Sequence, residues 1–210
     1  MIIYNIYIKD LQFLVLGLFS TIQVMDQIKV IAFVGMPGAG KSYCVDYLVE
    51  KGIPSVYFGG ITVDEVKARG MEVNEMNEKT VREELRANEG LGVMAERIIN
   101  KIDDLVAEGH QKVVADGLYS WTEYKIFKDR YGKNVTVIAI AAPRHLRHDR
   151  LTHRPIRPFT DDEVTSREYA EIENIEKGGP IANADYTIVN DGNPQDMIKK
   201  LDQILAEINF

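Results

Sequence analysis

The sequence predicts an α/β fold built on a parallel sheet, and three observations carry that prediction. From about residue 25 onward, short apolar runs alternate with longer amphipathic segments. The opening run, IKVIAFV (28–34), is continuously apolar, as a strand covered by helices on both faces must be. It runs straight into GMPGAGKS (35–42), a glycine-rich loop with the spacing G-x-x-x-x-G-K-S, and a helical segment, YCVDYLVEKG, follows.

The remaining elements follow in order. SVYFG (55–59), introduced by Pro54, is the second strand candidate, and ITVDEVKARG (61–70) reads as a helix closed by Gly70. Two longer helices, 77–90 and 93–109, each end at a glycine. KVVADG (112–117) returns to a strand that ends in Asp116, and 120–132 is helical with Ser120 as its N-cap. VTVIAIAA (135–142) is a strand stopped by Pro143, after which 143–158 begins helical and becomes a proline-broken basic loop. An acidic helix over 161–179, a strand and turn over 185–192 and an amphipathic closing helix over 194–208 complete the chain.

Bulk composition narrows the class. A chain of 210 residues with 45% hydrophobic and 27% charged residues has the makings of one domain with a proper core. A formal net charge of −7 argues against a general nucleic-acid binder. Cys44 is the only cysteine, so no intrachain disulfide forms and a cytoplasmic location is expected. LQFLVLGLF (11–19) is shorter than the roughly 20 apolar residues a bilayer span needs, and no membrane association is expected. Residues 1–24 read as an extension or a misassigned start, and 25–210 as the working domain.

The glycine-rich loop carries the chemistry. Successive backbone N–H groups of such a loop converge on phosphate oxygens, helped by the positive end of the following helix. Gly35, Gly38, Ala39, Gly40, Lys41, Ser42 and Tyr43 are therefore the expected nucleotide-binding residues, with ATP as the nucleotide. Lys41 would reach the β- and γ-phosphates, and Ser42 would ligand Mg²⁺. Asp116 ends its strand where a metal-side carboxylate would act through a water on Mg²⁺, although Asp-Gly is also a common turn pair.

Two arginine clusters stand out in this acidic chain. Residues 144–157 hold Arg144, Arg147, Arg150, Arg154 and Arg157 with three histidines and one aspartate. Arg147, Arg150 and Arg154 recur at helical spacing, and a closing lid could bring them to a transferring phosphoryl group. His145, His148 and His153 read as surface or hinge residues. In REELR (82–86), Arg82 and Arg86 lie one helical turn apart and could hold a second anion, such as an acceptor phosphate. Tyr57, Phe58 and Tyr119 are candidates either for stacking on a base or for the core. Either Asp185 or Asn190 could lie near the adenine.

These segments, together with the FGG after the second strand, VREELRANEGLG, VVADGLYS and IANADYTIVNDG, resemble in their order a group of small P-loop kinases. That group is related to dephospho-CoA kinase and the adenylate-kinase-like nucleoside monophosphate kinases. The resemblance covers residues 28–208. It implies a P-loop NTPase fold with a five-stranded parallel sheet flanked by helices, an acceptor-binding region near 60–95 and a basic lid near 144–180. Two positions depart from the group's pattern: Gly60 stands where an acid is usual and Tyr119 where an arginine is usual, both on the acceptor side. An alcohol acceptor gains from a general base and a phosphate acceptor needs none, so Gly60 favours a phosphate unless Asp64 substitutes. The function expected is ATP-dependent transfer of a phosphoryl group to a small acceptor, a nucleoside monophosphate. A dephospho-CoA kinase is the alternative, and a non-catalytic ATP-sensing module is the alternative of another class. A nucleic-acid 5′-end kinase is supported by the basic loop alone, and the oligomeric state is open.

Overall fold

The computed structural model describes residues 28–155 and 158–210. The extension read at 1–24, and Arg157 of the basic loop, lie outside the described residues.

Five strands form one wholly parallel sheet: β1 (Lys29–Val34), β2 (Ser55–Tyr57), β3 (Lys112–Asp116), β4 (Val135–Ala141) and β5 (Tyr186–Val189), in the order β2-β3-β1-β4-β5. Helices α1 (Lys41–Glu50), α2 (Phe58–Ala68), α3 (Glu75–Glu89), α4 (Val93–Ala107) and α5 (Trp121–Tyr131) fill the crossovers through β4. Next come α6 (Arg144–Thr152), α7 (Asp161–Glu173), the short α8 (Gly178–Ala182) and the closing α9 (Pro194–Glu207).

The period-2 geometry of a strand divides the core into two layers. Val30, Ala32 and Val34 of β1 point to one face and pack with Ile98 and Ile102 of α4 and Phe127 of α5. Ile31 and Phe33 point to the other and pack with Leu48 of α1 and Met197 and Leu201 of α9. Each of these side chains is essentially sealed from water, worth about 1.5–3 kcal/mol for a fully buried Ile, Leu or Phe. β1 is thus the central strand, with β3 and β4 on either side of it. The strand order reverses at β1, and ligands of open α/β sheets bind outside the carboxyl ends of the strands at such a switch point.

Most elements fall where the sequence places them, including Ser120, whose hydroxyl and Glu123 form a capping box at the start of α5. Two segments differ. β2 stops at Tyr57, so Phe58-Gly59-Gly60 forms the first turn of α2. There the Tyr57 ring lies across Gly59, where a Cβ would come 2.3 Å from its hydroxyl. The acidic helix read as 161–179 ends at Glu173, because Glu176 adopts a left-handed φ of 52° and turns the chain inward. That turn buries Lys177, and α8 begins immediately after it.

Candidate active site

The glycine-rich loop leaves β1 and is wedged against α6 and the end of β5. Gly38 has φ +76°, and a Cβ there would lie 2.7 Å from the Arg147 carbonyl oxygen. Gly40, at φ +101°, caps α1, and a Cβ would lie 2.3 Å from Asn190 Nδ2. Both positions require glycine for conformation and for space. Asn190 holds the loop from the far side, donating through Nδ2 to the Ala39 carbonyl at 2.7 Å.

Lys41 is the first residue of α1, and its ammonium donates to the Gly35 carbonyl at 2.8 Å and the Met36 carbonyl at 3.4 Å. Burial, reinforced by the charge of Lys177, brings its pKa down to about 7, with Glu171 and Asp116 opposing. Asp116 ends β3 opposite Phe33. Burial raises its pKa, Lys41 opposes the rise and Asp46 adds to it. Ser42 and Tyr43 are exposed on the first turn of α1. Among the described residues no group of three His, Cys, Asp or Glu side chains forms a ready-made metal cage. The donors at hand are the Ser42 hydroxyl and the Asp116 carboxyl, a sparse set that suits Mg²⁺, which keeps several waters and leans on substrate phosphates.

The basic segment divides by role. Arg147 is 8% exposed: it donates to the Ala142 carbonyl at 3.1 Å, to the Pro37 carbonyl at 3.4 Å, and to Glu168 of α7. Glu168 also accepts from Arg144 at 2.9 Å and meets His148 at 3.2 Å, so this carboxylate ties α6 to α7. Burial works to raise the Glu168 carboxyl, but its hydrogen bonds from His148, Arg144 and Arg147 and the Arg147 charge hold it below its usual range. Arg150 reaches the Gly38 and Asn190 carbonyls at 3.3 and 3.1 Å, joining the loop to the end of β5. Arg154 stacks on Phe159 at 4.2 Å, and Arg167 lies over the same ring at 5.5 Å.

On the acceptor side, Arg86 is largely buried, and its Nη2 lies 3.8 Å from Glu123 Oε1. Arg82 faces Glu75 at the same distance. Asp64 is exposed and bonded to Lys101 at 2.8 Å. Gly60 has only Tyr57 within reach of a Cβ. Phe58 is core, packed on Phe127 and edge-on to Tyr119. Asp185 precedes β5, accepts from the Val137 N–H at 2.7 Å and pairs with Lys128, which leaves Asn190, after β5, at the loop end.

The sequence reading passed over three groups: Arg167, Glu171 and Lys177. All three interact electrostatically with Lys41. Glu171 accepts from Arg167 at 3.2 Å and from Lys177 at 2.5 Å. The i,i+4 pair Arg167/Glu171 lies in TSREYAEIE, a pattern that a solvated pair on an acidic helix gives equally well.

A parallel five-stranded sheet of this order, with a phosphate-cradling loop at the end of its central strand and a helical segment folded over that loop, defines a P-loop kinase-like fold. Solved structures agree on the fold. Protein TT1252 from Thermus thermophilus superimposes with a TM-score of 0.59 at 19% identity, over 86% of this chain and 98% of that one. A shikimate kinase from Acinetobacter baumannii gives 0.53 at 18% identity, over 88% and 97%. A gluconokinase from Sinorhizobium meliloti gives 0.53 at 11%, over 87% and 94%. The chain belongs to the AAA domain family, which matches residues 31–176, and within it groups with the UPF0200 proteins. It is 33% identical to the UPF0200 protein TK1334 of Thermococcus kodakarensis over 85% of this chain and all of that one. It is 35% identical to a UPF0200/UPF0201 protein of Archaeoglobus fulgidus over 87% of this chain, and that match spans 56% of the relative's length. Among the described residues no helix is long and apolar enough to cross a membrane.

Proposed function

We propose that the protein is an ATP-dependent phosphotransferase that moves the γ-phosphoryl group to a small anionic acceptor, a nucleoside monophosphate. The observation that carries this reading is the ring of charge around Lys41: Asp116 from β3, with Arg167, Glu171 and Lys177 from α7 and the turn after it. Hydrolysis alone needs no such cover. Transfer to a second small molecule needs cations around the moving group and a closed, water-poor space, which a helical lid supplies.

In this reading the loop from Gly35 to Tyr43 holds the donor phosphates. Lys41 leaves the Gly35 carbonyl to bond the β- and γ-oxygens. Ser42 and Asp116 are the residues that would hold Mg²⁺, which when bound neutralises charge on the bridging phosphates. Arg150 and Arg154 from the lid of about 144–180, joined by Arg167, meet the charge developing on the transferring group. Arg147 keeps the lid seated on the loop through Pro37 and Glu168. Arg82 and Arg86, in the region of about 60–95 that also contains Gly60, face the acceptor, with Tyr119 beside them.

A second reading, an alcohol acceptor, is favoured by one observation: Glu171 is a largely buried carboxylate that acts on Lys41 and so is placed to take a hydroxyl proton, although Lys177 and Arg167 hold its carboxyl below the usual range and make it a weaker base. A coupled ADP-release assay on the full chain with ATP and Mg²⁺ separates the two. The acceptor panel is the ribo- and deoxyribonucleoside monophosphates, dephospho-CoA, shikimate and gluconate, with Lys41→Ala as the background. Turnover with one monophosphate is the expected result. Turnover only with an alcohol would establish the second reading. ATP binding with no turnover on any acceptor would overturn both in favour of an ATP-sensing module.

A further inference from the structure

Lys177 is the least ordinary charged residue of the described chain. It is 1% exposed, although it comes from a Glu-Lys-Gly-Gly turn whose composition belongs on a surface. Its ammonium has one hydrogen-bond acceptor, Glu171 Oε2 at 2.5 Å, and one ring face, that of Tyr119 with its centroid at 4.5 Å. An ammonium has three N–H donors, so this leaves capacity to spare. The Tyr119 ring in turn folds back toward the start of the post-β3 loop, where a Cβ on Gly117 would lie 2.8 Å from its hydroxyl. The lysine is therefore held against the ring of a residue three positions past the end of β3.

Lys177 also connects the two halves of the site. On the donor side it is the strongest charge acting on Lys41. On the acceptor side it acts, with Arg86, on the wholly buried Glu123. Glu123 uses Oε2 to accept from the Tyr119 and Ser120 N–H groups at 2.8 and 2.9 Å. Its Oε1 is buried, has no hydrogen-bond partner, and faces Arg86 at 3.8 Å, beyond hydrogen-bonding distance. The Arg86 guanidinium makes no hydrogen bond among the described residues and is only 16% exposed. A desolvated guanidinium and a desolvated ammonium, both underused, together mark a place built for an anion that is not part of the chain.

We infer that Lys177 and Arg86 form the subsite for the anionic group of the acceptor, a phosphate monoester, and that Glu171 is its internal stand-in, holding Lys177 until that anion displaces it. The inference rests on the phosphotransferase reading and deepens it by naming the group that is recognised and the residues that recognise it. Arg86 gives bidentate recognition from α3, while Lys177 gives a point charge from beyond α7 that faces Lys41. Binding the acceptor thus requires the turn that carries Lys177 to be in place, which couples acceptor recognition to lid position.

The test uses the full chain saturated with a non-hydrolysable ATP analogue and Mg²⁺, so that the donor site, including the γ-position, is filled. Inorganic phosphate is the probe, titrated calorimetrically at constant ionic strength, with adenosine monophosphate as a competing second arm. Wild type is expected to bind one phosphate. Arg86→Met should weaken it roughly tenfold or more, as loss of a charge-assisted contact does. Lys177→Arg should stay within about threefold, since the cation is kept. Because Lys177→Met alone leaves the largely buried Glu171 with Arg167 as its one hydrogen-bonded cation among the described residues and could unfold the protein, the loss of the lysine is read in Lys177→Met/Glu171→Met, where phosphate binding should again fall about tenfold. Glu171→Gln is the decisive variant, read at the acid end of the protein's stable range because Glu171 is the main group opposing the burial that lowers the Lys177 pKa: removing the competing carboxylate should there tighten phosphate binding several-fold, an effect no scaffolding role produces. Absence of phosphate binding to the analogue-saturated wild type, an unchanged affinity in both cation-deleting variants, or weaker binding in Glu171→Gln would each overturn the inference. Failure of every monophosphate in the turnover panel is a separate result. With phosphate binding and its Glu171→Gln response intact, it would refute the choice of acceptor and leave the subsite standing.

Discussion

Raising the pH should expose the state of Lys41 directly. Its pKa near 7 in the nucleotide-free protein comes first from burial and then from Lys177. At pH 8 about nine in ten molecules therefore hold Lys41 neutral, and at pH 6 about one in ten. A triphosphate placed against the ammonium restores the charged form, so nucleotide binding at pH 8 should take up about 0.9 proton through this residue, and at pH 6 about 0.1. The association constant should fall about tenfold between those pH values, or about 1.4 kcal/mol. Calorimetry of Mg²⁺-nucleotide binding in buffers of different ionisation enthalpy reads the proton count. Lys41→Arg, whose guanidinium stays charged throughout, subtracts the titration of the nucleotide itself. Equal proton uptake by wild type and Lys41→Arg at pH 8 would refute the reasoning. The same depressed pKa acts on stability with a fixed sign. Between about 7 and the ordinary lysine value of 10.5 the unfolded chain binds more protons at this position than the folded one. Lys41 therefore stabilises increasingly as pH rises through that window, and its contribution is lost as pH falls toward 7.

Three further outcomes follow from the packing. Glu168→Ala leaves Arg147 buried and unpaired and should cost about 3–5 kcal/mol in urea unfolding, whereas Glu168→Gln, which keeps an acceptor, should cost less. Gly40→Ala puts a Cβ 2.3 Å from Asn190 Nδ2 in a left-handed backbone and should weaken nucleotide binding at least tenfold, read by the same calorimetry. Cys44 is sealed from solvent and burial pushes its thiol up to about 12, so a thiol reagent at pH 8 should modify it only as fast as the protein opens, with unchanged kinetics in moderate salt.

What could be read in advance was whatever short-range pattern determines. The phosphate loop was legible because five chain positions, Gly35, Gly38, Gly40, Lys41 and Ser42, fix a local backbone path. The strands were legible because both faces of a parallel sheet are covered, which writes the burial into consecutive residues such as Val30 to Val34. The basic lid was found by composition, but the division of labour within it was not. Arg147 and Arg150 are equivalent on a helical wheel, yet one is locked to Glu168 and the other to two carbonyls, through partners 21 to 112 positions away. Lys177 was illegible for the opposite reason. Its neighbours are turn formers, and only the left-handed Glu176 carries it inward.

The charges around Lys41 explain why such a site can exist without its ligands. Lys41, Arg167 and Lys177 face Asp116 and Glu171, three potential cations against two carboxylates, all partly or fully out of water. Burying a net charge there would be costly, and the structure meets that cost in two ways. Glu171 is shared between Arg167 and Lys177, and those cations hold its carboxyl below the usual range despite burial. With a pKa near 7, Lys41 sheds its proton above neutrality, which there brings the balance toward zero. A site neutral at rest becomes cationic by one proton taken up on Lys41 and by a second cation freed when Glu171 lets go of Lys177. Each step is driven by the anion that needs it: the donor phosphates recharge Lys41, and the acceptor's anion displaces Glu171. Proton uptake on Lys41 thus offsets part of the donor's charge and release of Lys177 part of the acceptor's, and Glu171→Gln, with Lys177 already free, should change the acceptor's affinity while leaving the donor's proton uptake in place.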